Sequence, residues 1–93
     1  MTNEINNGGG GMKYSIGVRV ILKDGVLDPQ GETIGRALRD LGFGSVARVS
    51  TGRVFRLDID AETEAEARRV AGEAASKLLA NPIIERYELE VAR

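Results

Sequence analysis

The feature that most constrains the fold is a change in hydrophobic period, which occurs four times along one short chain. From Lys13 to Lys23, apolar side chains fall on every second residue. Tyr14, Ile16, Val18, Val20 and Leu22 share one side, while Ser15, Gly17, Arg19, Ile21 and Lys23 share the other, which is the signature of a half-buried strand. Asp24-Gly25 ends the run with turn chemistry. At Asp28-Pro29 the period becomes helical. Asp caps the free amides of a first turn and Pro fits its first position, and Ile34, Ala37, Leu38 and Leu41 follow at helical spacing up to Gly42.

The period then returns to two. Ser45–Ser50 and Arg53–Asp60 flank Thr51-Gly52, which predicts a hairpin, with Phe55, Leu57 and Ile59 on one side of the second arm and Val54, Arg56 and Asp58 on the other. Thr63 and Glu66 form a capping-box pattern that opens a second helix. Its expected apolar stripe is Ala67, Val70, Ala71, Ala74, Leu78 and Leu79, and Asn81-Pro82 is its expected end. Tyr87, Leu89 and Val91 alternate with Glu88 and Glu90 in a last strand. Strand, helix, strand, strand, helix, strand predicts an α+β, ferredoxin-like β-α-β-β-α-β sandwich, with two helices on one face of an antiparallel sheet. Helices on one face leave the other bare. That face carries Arg19, Arg56, Glu88 and Glu90 beside Ile21 and Val54, and it is the expected place for a second subunit.

Size points the same way. A chain of 93 residues makes one domain with a thin core, and with four aromatic residues that core is built from Val, Ile, Leu and Ala. Small domains gain missing burial by associating, so a homodimer or dimer of dimers is expected. The tail, residues 1–11, ends in four glycines and is expected to be disordered, leaving 12–93 as the domain and Met12 as an alternative start. The glycines lack a preceding strand and a following Gly-Lys-Ser/Thr, so they do not read as a phosphate loop.

Thirteen basic and fourteen acidic residues give a net charge of −1, which argues against nucleic acid as the partner. No apolar run approaches the ~20 residues needed to span a bilayer, and no signal-peptide pattern is present. A cytoplasmic protein with no membrane partner is the expectation. The chain has neither cysteine nor histidine, which removes the thiolate nucleophile and the commonest acid/base and metal ligand. Two carboxylate groups remain as chemical candidates: Asp58 with Asp60, and Glu62, Glu64 and Glu66. Each reads more simply as charge on a solvated strand or at a helix N-terminus. Arg48, Arg53 and Arg56 around the hairpin could meet a phosphate or a carboxylate, or only water. No catalytic residues, cofactor site or metal site is expected on this chain.

The segment from Val20 to Gly31, Val-Ile-Leu-Lys-Asp-Gly-Val-Leu-Asp-Pro-Gln-Gly, resembles the early motif of the PurS family, a strand ending in Lys followed by Leu-Asp-Pro-x-Gly. Ala37-Leu38 with Leu41-Gly42 is similar to the end of that family's first helix, and Leu78 to Glu85 followed by Tyr87 resembles its second signature. The resemblance covers Met12 to Arg93. It implies a non-catalytic subunit of the phosphoribosylformylglycinamidine synthase complex in purine (IMP) biosynthesis. In that complex a glutaminase (PurQ) releases ammonia and a synthetase (PurL) uses it, with ATP, Mg and glutamine bound by those partners rather than by PurS. PurS bridges the two and supports ammonia transfer. The absence of cysteine agrees, because glutamine hydrolysis by such a glutaminase needs a thiolate. The candidate partner-contact residues are Leu27, Asp28, Pro29, Gly31, Asn81 and Pro82; Asp28-Pro29 and Asn81-Pro82 read first as caps, a role compatible with contact. Two other domains share the element order. A free-standing ACT-type regulatory domain would bind an amino acid. An RNA-binding sandwich would need exposed aromatic residues on its central strands, where this chain offers only Phe55, on the core side.

Overall fold

The computed structural model describes residues 11–92; the expected disorder of the tail falls, but for Gly11, outside the described residues. Five elements follow in order: β1 (Met12–Leu22), α1 (Pro29–Asp40), β2 (Gly52–Ala61), α2 (Glu64–Ala74, continued by a wider π turn over Ala75–Leu79) and β3 (Glu85–Val91). The strands form an antiparallel sheet in the order β2-β1-β3. Ile16 stands opposite Leu57 on one side and Val91 on the other, and Arg19 lies between Val54 and Glu88.

The alternation in β1 sets the core. Ile16, Val18 and Val20 are fully buried beneath α2, whose contact residues are Ala67, Ala71 and Ala75. Small side chains at four-residue spacing let the helix backbone approach the sheet, and the β-branched side chains fill the space between them. Thr63 caps α2, its hydroxyl accepting from the Glu66 amide at 3.1 Å. The expected stripe is corrected at its end: the Ala80 amide reaches back five residues to the Ala75 carbonyl at 2.8 Å. That extra residue per turn rotates Leu78 outward, to 83% exposure, and keeps Leu79 on the core side.

The α+β, ferredoxin-like arrangement holds with three strands among the described residues. The expected first hairpin arm, Ser45–Ser50, is not a strand, and Thr51-Gly52 does not reverse the chain between two paired arms. The Asp28 carboxylate accepts from the Thr51 amide at 2.7 Å and the Thr51 hydroxyl at 2.9 Å, which fixes this turn to the start of α1 instead. α1 is also placed differently from α2. It packs no strand as α2 does. Its buried residues are Gly31 and Gly35, against Val49, while its apolar residues Ile34 and Leu41 face outward. Gly42 follows the helix at φ 104°, the left-handed conformation that ends helices cheaply only with glycine.

Candidate partner-contact site

The two sequence motifs lie far apart in the chain and meet at one end of the sheet. Lys23, at the exit of β1, makes the join. Its backbone amide donates to the Ile84 carbonyl at 2.8 Å and its ammonium to the Pro82 carbonyl at 2.7 Å. The register that pairs Leu22 with Glu85 brings these loops together, so the join follows from the alternation of β1 and β3.

In the first motif Asp28 does three things at once. One oxygen accepts from the Gly31 amide at 2.8 Å and caps α1; the carboxylate also holds the Thr51 amide and hydroxyl. These donors, the Thr51 amide foremost, hold the Asp28 carboxyl below the usual carboxylate range. Pro29 sits at the first helical position. Gly31 is required by space: a Cβ there would run into the Val49 carbonyl and stand 2.9 Å from the Asp28 carboxylate. Leu27 is 65% exposed.

The second motif is a turn after α2. The Asn81 side chain accepts from the Ile83 amide at 3.0 Å and the Asn81 carbonyl accepts from the Ile84 and Glu85 amides. The Asn81 amide in turn donates to the Glu85 carboxylate at 2.7 Å, and Arg53 donates to the same carboxylate and to the Leu79 carbonyl, each at 3.1 Å. Those donors lower the Glu85 pKa, the Asn81 amide contributing most. Pro82 and Ile83 are left exposed. Asp28, Pro29, Gly31 and Asn81 thus shape backbone, and Leu27, Pro82 and Ile83 supply exposed surface. Sequence reasoning missed Thr51 and Arg53 as members of this end, and did not single out Ile83 within the second signature. The Lys that ends β1 and Glu85 were inside the quoted motifs, but nothing in spacing alone gave them partners.

The other candidate groups separate. Arg53 is committed to Glu85, Arg56 donates to Ser15 Oγ at 3.0 Å on the bare sheet face, and Arg48 lies on the segment beside α1, so the three do not form one anion site. Asp60 pairs with Lys13 at 3.5 Å, Glu64 with Arg68 at 3.1 Å and Glu66 with Arg69 at 2.6 Å. Among the described residues no group of three or more His, Cys, Asp or Glu side chains could hold a metal. On the bare face Glu88 joins Arg19 and Arg86, and Val54 is 72% exposed beside them.

The family model described as "PurS: Phosphoribosylformylglycinamidine (FGAM) synthase" matches residues 15–93. The chain is 51% identical over 72 residues to the phosphoribosylformylglycinamidine synthase subunit PurS of Archaeoglobus fulgidus, covering 77% of this chain and 90% of that one. It is 37% identical over 78 residues to the same subunit of Bacillus subtilis, covering 84% and 92%. Among solved structures, PurS of Methanocaldococcus jannaschii, described as a subunit of formylglycinamide ribonucleotide amidotransferase in the purine biosynthetic pathway, superposes with a TM-score of 0.78 at 42% identity, covering 86% of this chain and 96% of that one. A chain of the PurLQS structure from Thermotoga maritima superposes with a TM-score of 0.82 at 31% identity, covering 87% and 99%.

Proposed function

Because the chain belongs to the PurS family of phosphoribosylformylglycinamidine synthase subunits, we propose that it bridges the synthetase (PurL) and glutaminase (PurQ) subunits and supports the passage of ammonia between them. Residues 12–93 are the working unit of this reading, residues 1–11 are an appended tail, and the assembly works in the cytoplasm with this chain as a homo-oligomer. ATP, Mg and glutamine belong to the partner subunits. Family membership decides against the ACT-type amino-acid sensor.

The observation that carries the reading is the join made by Lys23. It brings the Leu27–Gly31 and Asn81–Pro82 loops to one end of the sheet and holds their backbones by hydrogen bonds. The side chains left over, Leu27, Pro82 and Ile83, are apolar and exposed. A hydrogen-bonded loop with apolar residues facing water suits a protein interface, because little conformational entropy is lost when a partner covers it. The PurLQS complex of Thermotoga maritima, which contains a chain of this fold, supports the choice of partners.

The test is the ratio of glutamine-dependent to ammonia-dependent synthesis by the cognate synthetase and glutaminase, with and without this chain. The ratio rises at least tenfold on its addition if it couples the two sites, and an unchanged ratio overturns the reading. Leu27→Asp, an exposed position, lowers the ratio while leaving the melting temperature of the isolated chain unchanged.

A further inference from the structure

We propose that Arg36, Arg39 and Arg48 form a binding site for a phosphate group, free or carried by a small molecule. α1 and residues 45–50 fold together as one arm, with Val49 seated against Gly31 and Gly35. The three arginines come from both parts of that arm. They line one pocket of about 360 Å³, with Glu32 as its single carboxylate. Three guanidinium groups against one carboxylate leave two positive charges in surplus, in a chain whose net charge is −1.

What sets this pocket apart is the lack of a counter-charge. Arg19, Arg53, Arg68, Arg69 and Arg86 each meet a carboxylate of this chain, and Arg56 donates to Ser15 Oγ. Among the described residues, the guanidinium groups of Arg36 and Arg48 have no hydrogen-bond or ion-pair partner. Spacing is not the reason. Glu64 and Arg68, four residues apart on α2, close to 3.1 Å, whereas Glu32 and Arg36, at the same spacing on α1, make no such bond. Arg39 is already set in place. Its Nη1 donates to the Val46 carbonyl at 3.1 Å, and the missing side chain of Gly35 leaves the room its guanidinium occupies. That bond commits one of the five N–H donors a guanidinium has.

Like charges gathered without an anion repel, and a bound anion removes that cost. Guanidinium forks match phosphate oxygens two at a time, which an ammonium group cannot do. A phosphate monoester carries about −1.5 to −2 charge at neutral pH, close to the surplus in the pocket. The concave shape favours a small ligand over a flat protein surface, and the volume lies within the range of small-molecule sites, about 300–1,000 Å³. The site is complete in this chain, so it is tested without the other subunits, and its failure leaves the bridging role standing.

Isothermal titration of the full chain with inorganic phosphate and with ribose 5-phosphate is the test. Saturable binding is expected, with a loss of about tenfold or more in Arg36→Gln and in Arg48→Gln, the size of one charge-assisted hydrogen bond. Both positions are exposed, so these variants are expected to keep the melting temperature of the natural chain. Arg68→Gln, which removes another exposed arginine from α2, is expected to bind as the natural chain does. Tighter binding of ribose 5-phosphate than of inorganic phosphate assigns the site to a phosphate ester; equal binding assigns it to the phosphate group alone. No saturable binding of either probe overturns the site. An equal loss in Arg68→Gln also overturns it, because attraction by overall charge then accounts for the binding. If neither probe binds while Arg36→Gln and Arg48→Gln weaken association with the synthetase or glutaminase, the cluster is a docking surface for an acidic protein and the phosphate site is likewise overturned.

Discussion

The two helices of this chain have similar lengths and similar caps, and they do opposite things. α2 opens on Thr63 and buries Ala67, Ala71 and Ala75 against the fully buried row Ile16, Val18 and Val20. α1 opens on Asp28, buries only two glycines, and turns Ile34 and Leu41 to the outside. Capping and period decide that a helix forms, but they do not decide where it docks. For α2 the decision is made by short connections. Only Glu62 and Thr63 join it to β2, and Ala80 to Ile84 join its last turn to β3, so it has no freedom to leave the sheet. For α1 the connections are longer, and the Asp28–Thr51 clamp spends them on holding the arm as a unit.

The comparison breaks most visibly in the core under α2. Ile16→Ala removes a fully buried side chain from the centre of the sheet and is expected to cost about 2–5 kcal/mol, a large share of the ~5–15 kcal/mol that such a domain has. Denaturant unfolding of the isolated chain measures it. Ile34→Ala makes the same kind of change in α1. It is expected to cost less than about 1 kcal/mol of intrachain stability and to weaken self-association instead, read by light scattering over a dilution series. Equal losses of intrachain stability would mean that α1 is docked as α2 is.

Gly31→Ala comes next. Alanine is the better helix former by ~1 kcal/mol, yet here its methyl group meets the Val49 carbonyl, a backbone atom that cannot step aside. The arm must open, and a net loss of about 1–3 kcal/mol is expected, of the size found on overpacking. Limited proteolysis is expected to cut between residues 42 and 51 faster than in the natural chain. Equal cutting would show that the arm is not held by this contact.

A smaller effect separates the clamp from the rest through pH. Asp28 has its folded pKa lowered by the Thr51 and Gly31 amides, so its stabilising contribution is fully present above the unfolded value of about 3.9 and disappears as pH falls through the folded one. Asp28→Asn, which keeps a capping oxygen but cannot titrate, is expected to melt lower near neutral pH. The gap from the natural chain narrows below pH 4. A gap that stays constant down to pH 2 would remove the charge from the clamp.

Much of this was legible in the residues. The alternation of Tyr14 to Leu22 named the buried face of β1 residue by residue, and the capping pairs at Asp28 and Thr63 placed both helix starts. The bare face was read correctly as Arg19, Arg56, Glu88 and Glu90 beside Ile21 and Val54. What was not legible was long-range competition for a single group. Thr51-Gly52 between two alternating runs carries the chemistry of a hairpin, and only the fold shows that Asp28 has already taken the Thr51 amide. Leu78 was assigned to the core on a period of 3.6, and one π turn moved it to solvent. At the partner-contact end the motif residues were in hand, but Lys23 and Arg53 join them through carbonyl groups and a carboxylate that local sequence does not pair.

The smallest expected effect lies one turn beyond Gly31 and has the opposite sign. Gly35 faces the same segment, but a Cβ there would find Arg39 Nη1 at 3.3 Å and Val49 Cγ2 at 3.6 Å. The first is the far end of a flexible side chain, which donates to the Val46 carbonyl at 3.1 Å from an exposed position and can shift by a few tenths of an ångström. The second is ordinary contact distance. With no backbone in the way, the helix propensity of alanine and the reduced freedom of the unfolded chain are left to act, and Gly35→Ala is expected to stabilise by about 0.4–1 kcal/mol. Paired denaturant titrations of Gly31→Ala and Gly35→Ala check this, because the same chemical change four residues apart on one helix meets the Val49 carbonyl and the clamped Asp28 carboxylate in one case and only yielding side chains in the other. If both variants stabilise, the arm is looser than the geometry says. If both destabilise, the whole glycine face of α1, and not one contact, holds residues 46–49.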